Sequence, residues 1–428
     1  MILCLYLLMI LIVGATRMGK TFGVIDKLTH ETRKILALDP QDSLSRRFFQ
    51  HHICGGSTKR ILYDQLRRTD RAPGFISLWE SEHTDPLQRL RENDYERSLI
   101  AEPLYGRRSL DGVSRPRIAE YTDEALKVIQ FQNAYAPLFW LPFAIQPHLP
   151  DFEFLLRHCT HQETVDRLQS LAKLSPGQLR NEVSPTLRLL EPACRDPAFI
   201  SRCGTLHCDD LINRYDTLIV EGSGATDQTI EIVLQLWTYK AIQYVERHKR
   251  SLVLVIDEAA NWNLITKDLL RAVATLEKYG FELILITQSL SIVSSEIRVT
   301  LFQNARRVEC YRVGSLEDAR LMSGIFGALQ YDPDSSGGVS GQGKMLIQEL
   351  MTLPVGTRYV REQGHVFKEQ SPILKDSYAW PGISEHMMQD AIQNIIQGAD
   401  YQTPKYCTPA SVRGRQRGSN ADESSWRG

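Results

Sequence analysis

Three short groups of residues in this chain have the types and spacing for phosphate chemistry. The first, Gly14-Ala-Thr-Arg-Met-Gly-Lys-Thr21, fits the template of Gly, four free positions, Gly, Lys and then Ser or Thr. Binding a triphosphate needs backbone N–H groups that can approach closely, which glycine permits, and a helix N-terminus whose dipole favours an anion. Gly14 and Gly19 supply that backbone, and Ala15, Thr16, Arg17 and Met18 complete the cradle. Lys20 would reach the β- and γ-phosphate oxygens of ATP as a point charge, while the Thr21 hydroxyl would ligate the Mg2+ ion that bridges them. The second group is Asp257-Glu258, at the end of the apolar run Ser251 to Ile256. Asp257 would help Thr21 hold Mg2+ through water, and Glu258 would take a proton from, or orient, the attacking water. The third group, Thr287-Gln288-Ser289, closes the run Leu283 to Ile286. A neutral amide at Gln288 could touch the γ-phosphate or the water and report whether the phosphate is still attached.

These groups need strands that end level with one another, and the sequence supplies apolar runs in the right places. Met1 to Val13 is apolar throughout, but no basic residue precedes the run, it is short for a bilayer, and cleavage near Ala15 would destroy the loop. It reads as a buried first strand that need only open near Met9, with residues 1 to 8 as an extension and no integral membrane segment. Lys20 to Arg33 reads as a helix and Lys34 to Leu38 as a second strand closed by Asp39-Pro40, a βαβ unit that places ligands at the carboxyl ends of its strands. Asp39 is therefore either an active-site residue or a strand-end turn residue. Thr217 to Val220 is the next strand, followed by Glu221-Gly-Ser-Gly-Ala-Thr and a helix from Asp227 to Arg247 that Thr226 or Asp227 can cap. Asn304 to Val313 reads as a strand, Ser315 to Phe326 as a helix with Asp318 and Arg320 exposed, and Leu350 to Val360 leads into a final strand.

Between Ser57 and Asp209 the pattern turns helical, at Arg60 to Arg68, Asp85 to Tyr95, Thr122 to Phe131, Phe152 to Arg157, Gln162 to Leu174 and Ser184 to Leu190. Arg67, Arg68, Arg71, Arg107, Arg108, Arg115 and Arg117 could face phosphates there, against a reading as a solvated surface interleaved with Asp64, Asp70, Glu92 and Glu96. His158, Cys159, His161, Cys203, His207 and Cys208 lack the tight ligand pairs of a zinc site. The chain of 428 residues is 43% hydrophobic with a net charge of -1, so contact with nucleic acid would have to come from a local basic surface or a ring of subunits. Eight scattered cysteines form no disulfide framework and suit a reducing, cytoplasmic setting, with peripheral membrane association left open. Tyr331 to Gly343 reads as a loop, and the polar stretch beyond Gly398, with Arg413, Arg415 and Arg417, as a disordered tail.

The Gly14 to Thr21 loop, the strand ending Asp39-Pro40, Leu218-Ile-Val-Glu-Gly-Ser-Gly224 before a long helix, Asp257-Glu258-Ala259, and Tyr279-Gly-Phe-Glu-Leu-Ile-Leu-Ile-Thr-Gln-Ser289 together resemble the FtsK/HerA superfamily. Within it they are most similar to HerA-like ATPases and the coupling ATPases of conjugation and type IV secretion, over roughly residues 9 to 45 and 215 to 362. The resemblance implies an α/β chain built on a RecA-like P-loop NTPase core with a mainly parallel sheet, plus a mostly α-helical insertion domain. It further implies a homo-hexamer that hydrolyses ATP between subunits and moves DNA through its channel, with a secretion, conjugation or packaging protein as a further partner. The alternatives are an ATPase acting on protein and a nucleotide-dependent scaffold with little hydrolysis. The expected division is residues 1–56 and 211–365 for the ATPase domain, 57–210 for the insertion, and 366–428 for a C-terminal helix and tail. One departure stands out. Where the superfamily carries an Arg-Lys pair before the Tyr-Gly step, this chain has Glu277-Lys278, and a lysine cannot reproduce a guanidinium fork. Arg271, Arg306, Arg307 or Lys278 are the candidates to fill that role.

Overall fold

Met9–Val13 forms strand β1 with all five residues buried, as expected of an apolar run covered on both faces. It lies in the computed structural model of the chain, which describes residues 9–54, 59–67, 72–73, 86–106, 114–132, 138–196, 208–327, 341–371, 385–396 and 401–402. Residues 1–8, Arg68, Arg71, Arg107, Arg108, Cys203, His207, residues 331–340 and the tail arginines 413, 415 and 417 lie outside them. By its contacts the chain divides into two compact units, residues 1–64, 211–222 and 237–395, and residues 65–210, 223–236 and 396–428.

The first unit is organised by a sheet. After β1 come helix α1 (Lys20–Thr29), β2 (Lys34–Asp39), α2 (Ser45–Cys54) and β3 (Ile61–Gln65). β4 (Ala72–Pro73) and helices α3 (Pro86–Gly106), α4 (Ser114–Gln130), α5 (Pro150–His158), α6 (Gln162–Gln169) and α7 (Pro176–Cys194) follow in the second unit. Then come α8 (Cys208–Arg214), β5 (Thr217–Glu221), α9 (Asp227–His248), β6 (Leu252–Ile256), α10 (Lys267–Leu276), β7 (Phe281–Thr287), α11 (Ser295–Asn304) and β8 (Arg307–Cys310). The order closes with α12 (Leu316–Ile325), α13 (Gly341–Thr352), β9 (Thr357–Glu362), β10 (His365–Gln370), α14 (Glu385–Ile396) and β11 (Tyr401–Gln402). Nine strands pair in the order β10-β9-β8-β1-β7-β6-β2-β5-β3. Those from β8 to β5 run parallel, and β9 and β10 are antiparallel additions at one edge.

The register is what positions chemistry. Val13 pairs with Thr287, Leu285 with Ile256, and Ile256 with Leu38. β1 and β7 therefore end together, while β6 and β2 stop about two residues short of them, and the residues that close the strands, Gly14, Gln288, Asp257 and the β2 terminus Asp39, emerge along one edge. Val, Leu and Ile fill both faces: every residue of β6 is fully buried.

Beyond β8, the antiparallel edge is fastened by charge. Arg358 donates from Nη1 to Glu309 at 2.5 Å and to the Tyr311 hydroxyl at 3.0 Å, and Arg307 bridges Glu309, Glu362 and Glu369 at 2.7, 2.7 and 3.0 Å. Buried guanidinium and carboxylate groups are tolerated because their hydrogen-bonding capacity is met by one another.

Helices form most of the second unit, and its ion pairs are local. Glu124 on α4 accepts from the Thr164 hydroxyl at 2.7 Å and lies 3.3 Å from Arg167 on α6. Arg117 pairs with Glu182 at 3.3 Å, and Arg67 is exposed.

Several expectations need correction. Tyr401–Gln402, in the stretch read as a disordered tail, is a short strand paired with Ala72–Pro73, and Gly341 to Gly343, read as loop, open α13. In the stretch 60 to 68, read as helical, the described residues instead place Ile61–Gln65 in a strand at the end of the sheet, with Leu62 to Gln65 buried. The strand after Leu353-Pro-Val-Gly is not the last, since it turns back at Gln363-Gly364 into β10. Asp318 is 2% exposed rather than on the surface, for a reason given below. Leu254 is fully buried at the centre of the sheet, so Leu254→Ala should lower stability by about 3 kcal/mol through lost transfer energy and a residual cavity, read as an earlier urea midpoint.

Candidate nucleotide site

The loop after β1 is held at its base and middle and left open at its mouth. Gly14 N–H donates to Thr287 O at 3.1 Å and Ala15 N–H to Arg312 O at 2.7 Å, while Met18 O accepts from Gly356 N–H at 3.0 Å. A Cβ on Gly14 would stand 2.7 Å from Tyr311 Cβ, so the chain can pass there only as glycine. Gly19 caps α1 at φ 101° with no side-chain hydrogen bond, in the left-handed region that glycine enters freely. Among the described residues, none of the backbone amides of Thr16 through Thr21 finds an acceptor. Consecutive unpaired N–H groups at a helix N-terminus are the donor set a polyphosphate needs. Thr16 and Arg17 are exposed at the tip, where Arg17 adopts φ 63°.

Lys20 is 7% exposed, and its ammonium donates to the loop's own carbonyls, Gly14 O and Ala15 O, the latter at 3.0 Å. Burial lowers its pKa, and the charges of Glu258 and Asp257 oppose that shift. Those two acids follow β6. Asp257 accepts from Ser43 Oγ at 2.7 Å and from the Glu258 amide at 3.0 Å. Burial and the neighbouring Glu258 push the Asp257 carboxyl up to about 6, against the Ser43 bond. Asp39 closes the turn after β2, its carboxylate accepting from the amides of Gln41, Leu44 and Ser45 at 2.9, 2.8 and 2.7 Å and folding the chain into α2. Burial, then the charge of Asp257, raises it to about 6 as well.

Glu258 sits at φ 51°, a conformation costing a side-chain-bearing residue about 1 kcal/mol. The turn aims its carboxylate between two amides. Gln288 Nε2 donates to Oε1 at 2.8 Å and Asn261 Nδ2 to Oε2 at 3.0 Å. Burial raises its pKa, and the Gln288 bond and the charge of Lys20 moderate the rise. Gln288 thus touches the acid directly. Asn261 and Ser43 were not singled out from the sequence. Asn261 stands three residues beyond Glu258 and Ser43 four beyond Asp39, offsets that a search of the flanking turns would have reached.

The donor set fits a magnesium nucleotide. Asp39, Asp257 and Glu258 place negative charge against a single ammonium, which a divalent cation would balance, and half-buried Thr21 stands on the first turn of α1. Among the described residues no group of three or more His, Cys, Asp or Glu is arranged to hold a metal, and Mg2+ does not require one, since it keeps waters and phosphate oxygens. His158 and His161 are engaged locally, with Phe154 O and with Thr164. Of the cations proposed to replace the missing arginine, Arg307 is spent on three carboxylates, Arg306 pairs with Glu277 at 2.9 Å, and Arg271 is exposed on α10. Lys278 precedes the amino end of β7, the opposite end from Gln288, with its ammonium 5.0 Å from the Tyr279 ring centre.

Strand order, register and the loop after β1 define an α/β fold of the RecA-like P-loop NTPase kind. Solved structures share it. The bacterial conjugative coupling protein TrwB in complex with sulphate superposes with a TM-score of 0.54 at 18% identity, over 86% of each chain. TrwB in complex with ADP and Mg2+ gives 0.55 at 16%, over 86% of this chain and 85% of that one. VirB4 of Thermoanaerobacter pseudethanolicus gives 0.55 at 14%, over 86% and 90%. No protein-family model matches the sequence, and neither does any curated protein.

Two outcomes follow. Lys20→Ala should weaken ATP binding about 100-fold, roughly 2.7 kcal/mol, in a titration with a fluorescent ATP analogue. Because the folded pKa values of Asp39 and Asp257 lie above the ordinary carboxylate value, the folded chain holds more protons than the unfolded one between about pH 4 and 6, and these groups lose stability as pH rises through that window. Without magnesium, Asp257→Asn should therefore gain melting temperature relative to wild type on going from pH 4.5 to 7; a constant difference contradicts the assignment.

Proposed function

We propose that this chain is a magnesium-dependent ATPase, assembling as a homo-hexameric ring that moves DNA from the cytoplasmic side, in conjunction with a secretion, conjugation or packaging partner. The observation that carries the ATPase reading is the convergence of Lys20, Asp257, Glu258 and Gln288 at the ends of neighbouring strands. ATP would supply the phosphoanhydride, and a bound Mg2+ would supply positive charge against its phosphates. The chain supplies the rest. Amides of residues 16 to 21 hold phosphate oxygens, and Lys20 exchanges its two carbonyl acceptors for them. Thr21 and Asp257 would hold the ion. Glu258, fixed from two sides, keeps a lone pair on each oxygen for the proton of the attacking water, and Gln288 restrains that carboxylate. Likeness in fold to a conjugative coupling protein supports DNA as the moved substrate. No helix among the described residues is long and apolar enough to cross a membrane.

The test is steady-state ATP hydrolysis with and without single- and double-stranded DNA, read beside the mass of the assembly. Wild type should turn over faster with DNA, and Glu258→Gln should lower the rate roughly 100-fold or more while still binding ATP. Turnover indifferent to DNA moves the reading to a protein substrate. Binding without turnover favours a scaffold, a reading to which the commitment of Arg307 and the lysine at position 278 lend weight.

A further inference from the structure

Asp318 is a buried carboxylate to which the nucleotide chemistry assigns no role. It sits in the first turn of α12, where Ser315 caps the helix: the Asp318 amide donates to Ser315 Oγ at 3.0 Å. Its carboxylate faces away from that helix's own needs. Oδ2 accepts from Ser315 Oγ at 2.7 Å, but Oδ1 accepts from two amides of another segment, Leu290 N–H at 2.8 Å and Ser291 N–H at 3.1 Å. That segment leaves β7 immediately after Gln288. It is further folded on itself by Thr287 Oγ1 donating to Ser289 O at 3.0 Å and by Ser291 N–H donating to Ser289 Oγ at 3.2 Å. A short chain of contacts therefore runs from Glu258 Oε1 through the Gln288 amide and two backbone amides to the first turn of α12.

A helix N-terminus needs no carboxylate aimed elsewhere, and Ser315 already serves as the cap. Charge-assisted bonds from a buried carboxylate to two consecutive amides fix backbone direction more stiffly than neutral ones. The residue whose direction they fix lies two positions from Gln288, whose side chain must arrive within hydrogen-bond reach of Glu258. We propose that Asp318 is a positioning residue for hydrolysis: it holds the 288–291 turn so that Gln288 restrains Glu258 in the geometry that activates water, and it ties that geometry to the placement of α12. The inference rests on the ATPase reading above.

Its test is a double-mutant cycle on the full chain, with Asp318→Ala, Gln288→Ala and the double variant, measuring kcat and ATP affinity separately. Asp318→Ala should lower kcat about tenfold with ATP affinity within twofold of wild type, since small misplacements of a catalytic group cost rate rather than binding. In the Gln288→Ala background the same change should lower kcat less than twofold, because the group it positions is gone. Asp318→Asn, which retains one acceptor oxygen, should recover part of the loss, and it replaces the alanine variant in the cycle if that variant does not fold. An equal loss of kcat with and without Gln288, or none, overturns the inference while leaving the ATPase reading intact. Wild-type turnover that Glu258→Gln does not change overturns both together.

Discussion

Negative charge gathered against one ammonium at the edge of a dry sheet is the constraint on which the rest of the structure turns. Asp39, Asp257 and Glu258 are 0%, 3% and 5% exposed, and each would be costly there without partners. The fold meets that cost locally. Asp39 takes three backbone amides, Asp257 a serine and an amide, and Glu258 two side-chain amides. What stays unbalanced is net charge, and the unpaired amides of the loop mouth stand beside it. A group anionic toward the loop and cationic toward the acids, the charge pattern of a magnesium nucleotide, would balance both.

Much of this was legible in the sequence because parallel strands buried on both faces announce themselves. Runs such as Leu252 to Ile256 and Leu283 to Ile286 have no other stable home, and the residues that close them must emerge at one edge. The loop glycines were equally plain, though the reason for Gly14 was not. Its neighbour is Tyr311, nearly 300 positions along the chain, and a close approach of that separation leaves no local signal. Residues 60 to 68 misled because Arg60, Asp64, Gln65 and Arg67 dilute the apolar run, so that the period of a strand shows only once its neighbour β5 is known. Asp318 misled for a related reason: an acid in the first turn of a helix is ordinarily solvated and dipole-favoured, and only the distant amides of Leu290 and Ser291 draw it inside. The hairpin of β9 and β10 was half seen, since His365 to Gln370 is exposed along most of its length and carries little apolar pattern.

The arginine-poor step at Glu277-Lys278 gains context from the ion pairs around it. Arg307 lies at the start of β8 and is held by carboxylates from three positions, so its work is to bind the antiparallel edge to the parallel sheet. Lys249 and Lys278 instead approach the half-buried Tyr279, at 4.4 and 5.0 Å from its ring centre. Cations held over a ring remain hydrated and mobile compared with a forked guanidinium. A lysine in this place trades directional grip for reach.

The tether at Gly356 has a mechanical meaning. Its amide holds Met18, in the middle of the phosphate loop, while its carbonyl accepts from Ser371 N–H at 2.6 Å, where the chain leaves β10. Two hydrogen bonds in series thus connect the loop to the strand that leads toward the C-terminal segment. A displacement at Ser371 therefore has two ways inward, through Gly356 to the middle of the loop and through β10 and β9 to the sheet. The loop and the edge of the sheet thus share one anchor, and what moves one is felt by the other.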